Sequence, residues 1–200
     1  IGPASSPRAA TRGAAASTRR AGRAGSAGYL LISGGVALRA PALDQITELA
    51  ANAAHAGVEV RFLTGAKYAP AREDRAIFQK IQAHVPGLRL YEAQSLEDWA
   101  GCIRAAGYLV SGRFHHTIAA LALGVPCRAF ASNTEKLESI LAQLGAPPVC
   151  PPEASADARR AFSREVLSTI SAATRLPNEA AFDEMVQLGG ENLADIAHFL

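Results

Sequence analysis

The chain has 200 residues, of which 49% are hydrophobic and 19% are charged, and its net charge is +2. These values exclude a chain that is disordered throughout. The charge is uneven, because residues 1–43 hold six arginines and no acid, whereas the other 14 basic and 18 acidic residues leave residues 44–200 at −4. A mildly acidic folded part argues against a body that binds nucleic acid.

The three cysteines are far apart and include no C-x-x-C pair and no His/Cys cluster. This usage predicts structural thiols in a reducing compartment and no metal site. No apolar run reaches about 18 residues, so we expect no membrane-spanning helix. We therefore predict a cytoplasmic protein.

Residues 1–28 are dominated by Ala, Gly, Arg and Ser, and we predict that this segment is disordered because it cannot bury a core. An acid-free, Arg- and Ser-rich end is also typical of organelle transit peptides. A linker and a targeting segment are therefore both open, and the linker is favoured.

From Tyr29 onward, short apolar runs alternate with helical patterns that glycines punctuate. Strands are predicted at about 29–33, 58–63, 88–91, 108–110 and 125–130, and helices at about 41–57, 71–84, 95–107, 115–123 and 134–144. Five such repeats predict an α/β fold over residues 29–145, with a Rossmann-like parallel sheet of about five strands and helices on both faces.

The remaining segment, residues 146–200, begins with a connection rich in proline. Two further helices are predicted after it, at about 155–173 and 178–199. These helices either pack back across the sheet or contact a partner, and the sequence leaves both open.

Ligands of open α/β sheets bind beyond the carboxyl ends of the strands. Each predicted strand is followed there by a loop, and the loop after the fourth strand, Ser111 to His116, has the side chains best suited to binding and catalysis. A helix N-terminus there offers free N–H groups, Arg113 offers a planar fork for phosphate or carboxylate, and a histidine offers a proton donor near neutral pH. Neighbouring helical residues point about 100° apart, so we expect only one of His115 and His116 to face the crevice. The alternative is that Arg113 merely pairs with a neighbouring carboxylate and the histidine bonds only to the backbone.

The fifth loop adds a weaker signal. Asn133 is predicted to cap the next helix, which places Lys136 in the first turn, near the same crevice. A cation there opposes the helix dipole, although an exposed, solvated lysine is the alternative. Trp99 has the spacing of a core residue, and the glycine motifs of dinucleotide, P-loop and serine-hydrolase sites are absent from the sequence.

The run V-S-G-R-F-H-H-T-I-A-A at 110–120, then Gly124-Val125-Pro126, then Asn133 and Lys136, resembles the polysaccharide pyruvyl transferase family. The spacing fits over residues 108–145. The resemblance implies one of two Rossmann-like halves of a GT-B fold, with these motifs in the second half. Only 28 residues precede Tyr29, so we expect catalysis to need a first half that these residues do not supply.

The resemblance further implies a transferase that moves pyruvate from phosphoenolpyruvate onto a sugar of a cell-surface polysaccharide, as a ketal. Arg113 and His115 would be the catalytic residues, with Arg113 binding the anion and His115 acting as acid and base. The implied substrate-binding residues are Ser111, Gly112, His116, Asn133, Lys136 and, near the end of the first strand, Arg39. No cofactor or metal is implied beyond the phosphoenolpyruvate donor. The acceptor would be a saccharide or a lipid-linked saccharide, which leaves peripheral membrane association and homo-oligomerisation open.

Two alternatives stay open at this point. One is a glycosyltransferase or sugar epimerase half of GT-B type that binds a nucleotide sugar, for which Glu135 and Glu138 are weak candidates to hold the ribose. The other is a non-catalytic domain that binds a sugar or a partner protein.

Overall fold

The computed structural model describes residues 28–35, 38, 40–65, 70–131, 136–152 and 155–175. Within them, strands and helices alternate as the sequence predicts. The elements in chain order are β1 (Tyr29–Ser33), α1 (Ala40–His55), β2 (Val60–Leu63), α2 (Pro70–Gln82), β3 (Arg89–Tyr91), α3 (Leu96–Ala105), β4 (Ala106–Ser111), α4 (Phe114–Ala122), β5 (Cys127–Ala129), α5 (Lys136–Gln143) and α6 (Ala156–Ser171).

The five strands form one parallel sheet in the order β3-β2-β1-β4-β5. Ile32 in the central strand pairs with Phe62 on one side and with Val110 on the other. Both β1 and β4 are buried along their whole length, because helices cover both faces of the sheet. The predicted Rossmann-like α/β sheet is thus confirmed.

Two apolar clusters lie on the two faces. One contains Ile46 and Leu49 of α1 together with Val166 of α6. The other contains Ile103 of α3 and Leu121 of α4. Since successive strand residues point to opposite faces, Leu30 and Leu31 of β1 join different clusters.

The helix α6 packs on the sheet rather than standing apart from it. Phe162, Val166 and Ile170 are buried in the same cluster as α1. Arg159 of α6 also pairs with Glu48 of α1, with 2.6 Å between Nε and Oε2. This settles the position of the first C-terminal helix, whereas the helix predicted at 178–199 lies outside the described residues.

The structure corrects the predicted junction between α3 and β4. Gly107 was expected to end the helix, but the helix ends at Ala105 and Gly107 lies inside β4. A Cβ at Gly28 would come within 2.4 Å of the Gly107 nitrogen, so the two backbones approach too closely for side chains. Gly107 therefore serves strand packing, whereas Gly57 and Gly124 adopt the left-handed conformation just beyond α1 and α4.

Candidate active site

The site is built where the strand order reverses, between β1 and β4. A parallel sheet opens a crevice at such a point, beyond the carboxyl ends of its strands. Here the segments that follow β1 and β4 run very close to each other. The Gly112 nitrogen donates to the Gly34 oxygen at 3.2 Å, and a Cβ on Gly35 would lie 2.6 Å from the Gly112 oxygen. The glycines after β1 thus serve close backbone packing.

The turn from β4 into α4 is held by its own side chains. The Ser111 hydroxyl accepts from the Arg113 nitrogen at 2.9 Å, and the Thr117 hydroxyl donates to the Arg113 carbonyl at 3.0 Å. Arg113 itself is the N-cap residue of α4, with extended φ and ψ of −111° and 127°. The first N–H groups of α4, which a helix cannot pair internally, therefore emerge at the carboxyl edge of the sheet.

Arg113 is paired with Asp74 of α2, a residue that the sequence analysis did not single out. Arg113 Nη2 lies 2.7 Å from Asp74 Oδ1, and Asp74 Oδ2 accepts from the Gly65 nitrogen at 2.7 Å. The Asp74 side chain is fully buried, and that of Arg113 is 16% exposed. A signal did exist in the sequence, since Asp74 occupies the helical stripe of Ile77, Phe78 and Ile81, where an apolar residue is expected.

The pair uses only part of the guanidinium. Of the five N–H donors of an arginine, Asp74 engages one at Nη2. Arg113 Nε is buried and has no hydrogen-bond partner among the described residues. The structure therefore shows the alternative that the sequence left open, in which Arg113 pairs with a neighbouring carboxylate, and anion binding by Arg113 stays a prediction.

The two histidines of the turn lie in opposite environments. His115 is exposed, with its ring centroid 5.2 Å from that of Phe114. His116 is 2% exposed, its Nδ1 lies 2.5 Å from the Ser33 hydroxyl, and its ring centroid is 5.5 Å from that of Trp99. Burial, helped by the charges of Arg113 and His115, lowers the pKa of His116 to about 3. His116 is thus a neutral structural ring at physiological pH, and the ring that solvent reaches is that of His115.

A cavity of about 800 Å³ opens beside His115 at the carboxyl ends of β2, β3 and β4. Its described lining comprises Thr64, Gly65, Arg75, Glu92, Ala93, Gln94, Ser95, Leu96, Trp99 and His115. Trp99 therefore does two things, since it packs against the second apolar cluster and also contributes to the cavity wall. Arg75 and Glu92 form an exposed ion pair there, with 2.9 Å between Nη2 and Oε1.

The loop after β3 is fixed by Asp98. This carboxylate accepts from the Tyr91 hydroxyl and, at 2.9 Å, from the Gln94 nitrogen. The first of these bonds is the main cause that lowers the pKa of Asp98, and the same bond raises the pKa of Tyr91 to about 12. Ser95 caps α3 by accepting from the Asp98 nitrogen. One wall of the cavity is thus held in place before any ligand binds.

The structure describes only some of the remaining predicted site residues. Arg39 and Asn133 lie outside the described residues. Lys136 is the first residue of α5 and is exposed, but it is not among the described residues that line the cavity. Ser111 and Gly112 are buried and shape the turn through their backbone and hydroxyl groups.

Two features are absent from the part of the chain that the structure describes. No three His, Cys, Asp or Glu side chains of these residues come together in a group that could hold a metal ion. Among the helices of the described ranges, none combines the length and the apolar composition that crossing a membrane requires.

Comparison with two solved structures supports the same fold class. UDP-GlcNAc 2-epimerase from Neisseria meningitidis, bound to UDP-GlcNAc, matches with a TM-score of 0.51 at 16% identity, over 80% of this chain and 43% of that one. S. aureus MnaA, solved with UDP, matches with a TM-score of 0.50 at 14% identity, over 80% of this chain and 44% of that one. E. coli heptosyltransferase WaaC, solved with ADP-2-deoxy-2-fluoro heptose, has a TM-score of 0.47 at 19% identity, over 68% of this chain and 42% of that one. The chain therefore spans less than half the length of each of these structures.

The fold resembles one Rossmann-like half of a GT-B fold. Within it, residues 54–134 match the model of the polysaccharide pyruvyl transferase family. This match includes Asp74, Arg113 and both histidines of the turn, and it confirms the resemblance seen in the sequence. No curated protein matches the chain.

Proposed function

We propose that this domain takes part in transferring pyruvate from phosphoenolpyruvate to a saccharide, with the site at the start of α4. The observation that carries this proposal is the position of His115. This ring lines the cavity two residues after Arg113, at a helix N-terminus inside the segment that matches the family. A proton-donating ring and an anion-binding fork therefore belong to the same turn, and phosphoenolpyruvate, which has both a phosphate and a carboxylate, needs both groups. Arg113 itself is not among the described residues that line the cavity.

In the proposed reaction, Arg113 and the first N–H groups of α4 bind the donor anion. His115 gives a proton to the methylene carbon, which becomes the methyl group and leaves the neighbouring carbon electrophilic. One acceptor hydroxyl adds to that carbon, phosphate leaves with the C–O bond electrons, and a second hydroxyl closes the ketal. The two hydroxyl protons balance the reaction, since one restores His115 and the other leaves with phosphate. His116 takes no proton in this scheme, because its lowered pKa keeps it neutral.

The same proposal covers the partners. Phosphoenolpyruvate is the donor and no other cofactor takes part. The acceptor is a saccharide or lipid-linked saccharide, for which the cavity beside His115 has room. We propose a cytoplasmic reaction, because the donor is a soluble metabolite.

A second candidate is favoured by one feature of the same cavity. The Trp99 ring in its wall offers an aromatic surface of the kind on which a nucleobase stacks. The structural neighbours solved with UDP-GlcNAc and with UDP raise the same alternative of a nucleotide-sugar site. Calorimetric titration separates the two, because the first proposal expects phosphoenolpyruvate to bind and UDP to bind weakly or not at all.

The test of the mechanism uses Arg113 and His115 separately. Arg113→Lys keeps the charge but loses the fork, so we expect phosphoenolpyruvate to bind about 10-fold more weakly or worse. His115→Ala should leave this affinity nearly unchanged and lower ketal formation by roughly 10²–10⁴-fold. Tight UDP binding with no binding of phosphoenolpyruvate would replace the proposal by the nucleotide-sugar alternative. Full ketal formation by both variants would remove the turn from the mechanism.

A further inference from the structure

We propose that Asp74 is a positioning residue that holds the guanidinium of Arg113 for the donor anion, an inference that rests on the proposed function. Asp74 is fully buried, and both of its oxygens are occupied. Oδ1 lies 2.7 Å from Arg113 Nη2, and Oδ2 accepts from the Gly65 nitrogen at 2.7 Å. The carboxylate thereby ties the loop after β2 to the turn after β4, on either side of β1.

Two glycines leave the space that this pair occupies. A Cβ on Gly65 would lie 2.2 Å from Arg113 Nε, and a Cβ on Gly34 would lie 2.3 Å from Asp74 Oδ1. Contacts below 3.0 Å are not tolerated, so any side chain at either position would displace the guanidinium or the carboxylate. The ends of β1 and β2 are therefore shaped around the Asp74–Arg113 pair, which an incidental surface ion pair would not require.

The arrangement reduces the freedom of Arg113 before a ligand arrives. An arginine side chain that is loose in solvent loses rotamer entropy when it grips an anion. With Nη2 held by a buried carboxylate, most of that ordering is already complete in the free protein. Asp74 engages the guanidinium at Nη2, and Nε, which is buried, has no hydrogen-bond partner among the described residues. Asp74 thus acts on phosphoenolpyruvate through Arg113 and does not itself contact phosphoenolpyruvate.

The test replaces Asp74 by asparagine, which has the same shape but only one acceptor oxygen for two donors. Glu73→Gln is the matched control, because it removes a carboxylate from the neighbouring, exposed position of the same helix. We expect Asp74→Asn to weaken phosphoenolpyruvate binding by about 10–100-fold, and Glu73→Gln to change it by less than about 2-fold. Because Asp74 acts through Arg113, Asp74→Asn should weaken phosphoenolpyruvate binding almost no further when Arg113 has already been replaced by lysine. The proposal is overturned if Asp74→Asn lowers the affinity for phosphoenolpyruvate equally in the wild type and in Arg113→Lys, or if it does not lower this affinity in the wild type.

A second measurement needs no phosphoenolpyruvate. Side-chain ¹⁵N NMR of the full chain should show slow rotation of the Arg113 guanidinium in the wild type and fast rotation in Asp74→Asn. If phosphoenolpyruvate fails to bind the wild type, the proposed function fails, while this measurement still decides whether Asp74 holds Arg113. Unchanged Arg113 signals in Asp74→Asn would refute the inference by itself.

If Asp74→Asn does not fold, Gly65→Ala replaces it. The added methyl group pushes on the guanidinium and leaves the carboxylate in place. Faster rotation of the Arg113 guanidinium in this variant supports the positioning role, and unchanged rotation overturns it.

Discussion

The buried imidazole of His116 makes the stability of the fold depend on pH. Its pKa is lowered to about 3 in the folded chain, mainly by burial, whereas a solvated histidine titrates near about 6.5. Between these two values the unfolded chain binds one more proton than the folded chain, so stability falls as the pH falls. The contribution of His116 is fully present above about pH 6.5 and is lost progressively toward about pH 3.

The size of this effect follows from the two pKa values. Lowering the pH from 7 to 5 should cost the wild type about 2 kcal/mol through His116 alone, because its protonation then stabilises only the unfolded state. The comparison variant is His116→Asn, which keeps a polar group near Ser33 but does not titrate. Its absolute stability will be lower, yet its loss between pH 7 and pH 5 should be smaller than that of the wild type by about 2 kcal/mol.

The assay is urea unfolding of both proteins at the two pH values, followed by circular dichroism. His55→Asn is the matched control, since this ring is exposed at the end of α1 and is not among the groups that lower the pKa of His116. It should share the pH dependence of the wild type. The reasoning is refuted if the wild type and His116→Asn lose the same stability between pH 7 and pH 5.

Three further predictions concern single contacts and are checked by chemical denaturation. Ser33→Ala removes the hydroxyl that lies 2.5 Å from His116 Nδ1, so a buried ring nitrogen loses its partner. We expect the free energy of unfolding to fall by about 1–3 kcal/mol, and an unchanged value would contradict this. Gly34→Ala should destabilise the fold, because its Cβ would meet Asp74 Oδ1 at 2.3 Å, and wild-type stability would show that the pair moves without cost. Gly101→Ala on α3 should stabilise the fold by about 0.5–1 kcal/mol, because alanine favours the helix and, among the described residues outside the backbone of α3, no atom lies within 4 Å of the added Cβ. Destabilisation would disprove the assignment of open space there.

The candidate site shows how far local signals reach. The residues of the turn Ser111–His116 are neighbours in sequence, so their position between a strand and a helix follows from the local pattern alone. Which of the two histidines meets solvent depends on Ser33 and Trp99, which come from β1 and α3. The partner of Arg113 lies 39 residues earlier in the chain, and nothing near Arg113 in sequence points to it.

The sequence by itself determined the elements and the fold class. Continuous apolar runs and helical stripes are local properties of the chain, and they predicted all five strands and the parallel sheet. They could not determine the strand order β3-β2-β1-β4-β5 or the close approach of Gly28 and Gly107. The pairing of segments that are distant in sequence does not change the local spacing of apolar residues. Only the tertiary structure decided that Asp74 is buried against Arg113, since a carboxylate on an apolar stripe finds its partner through packing across the sheet edge.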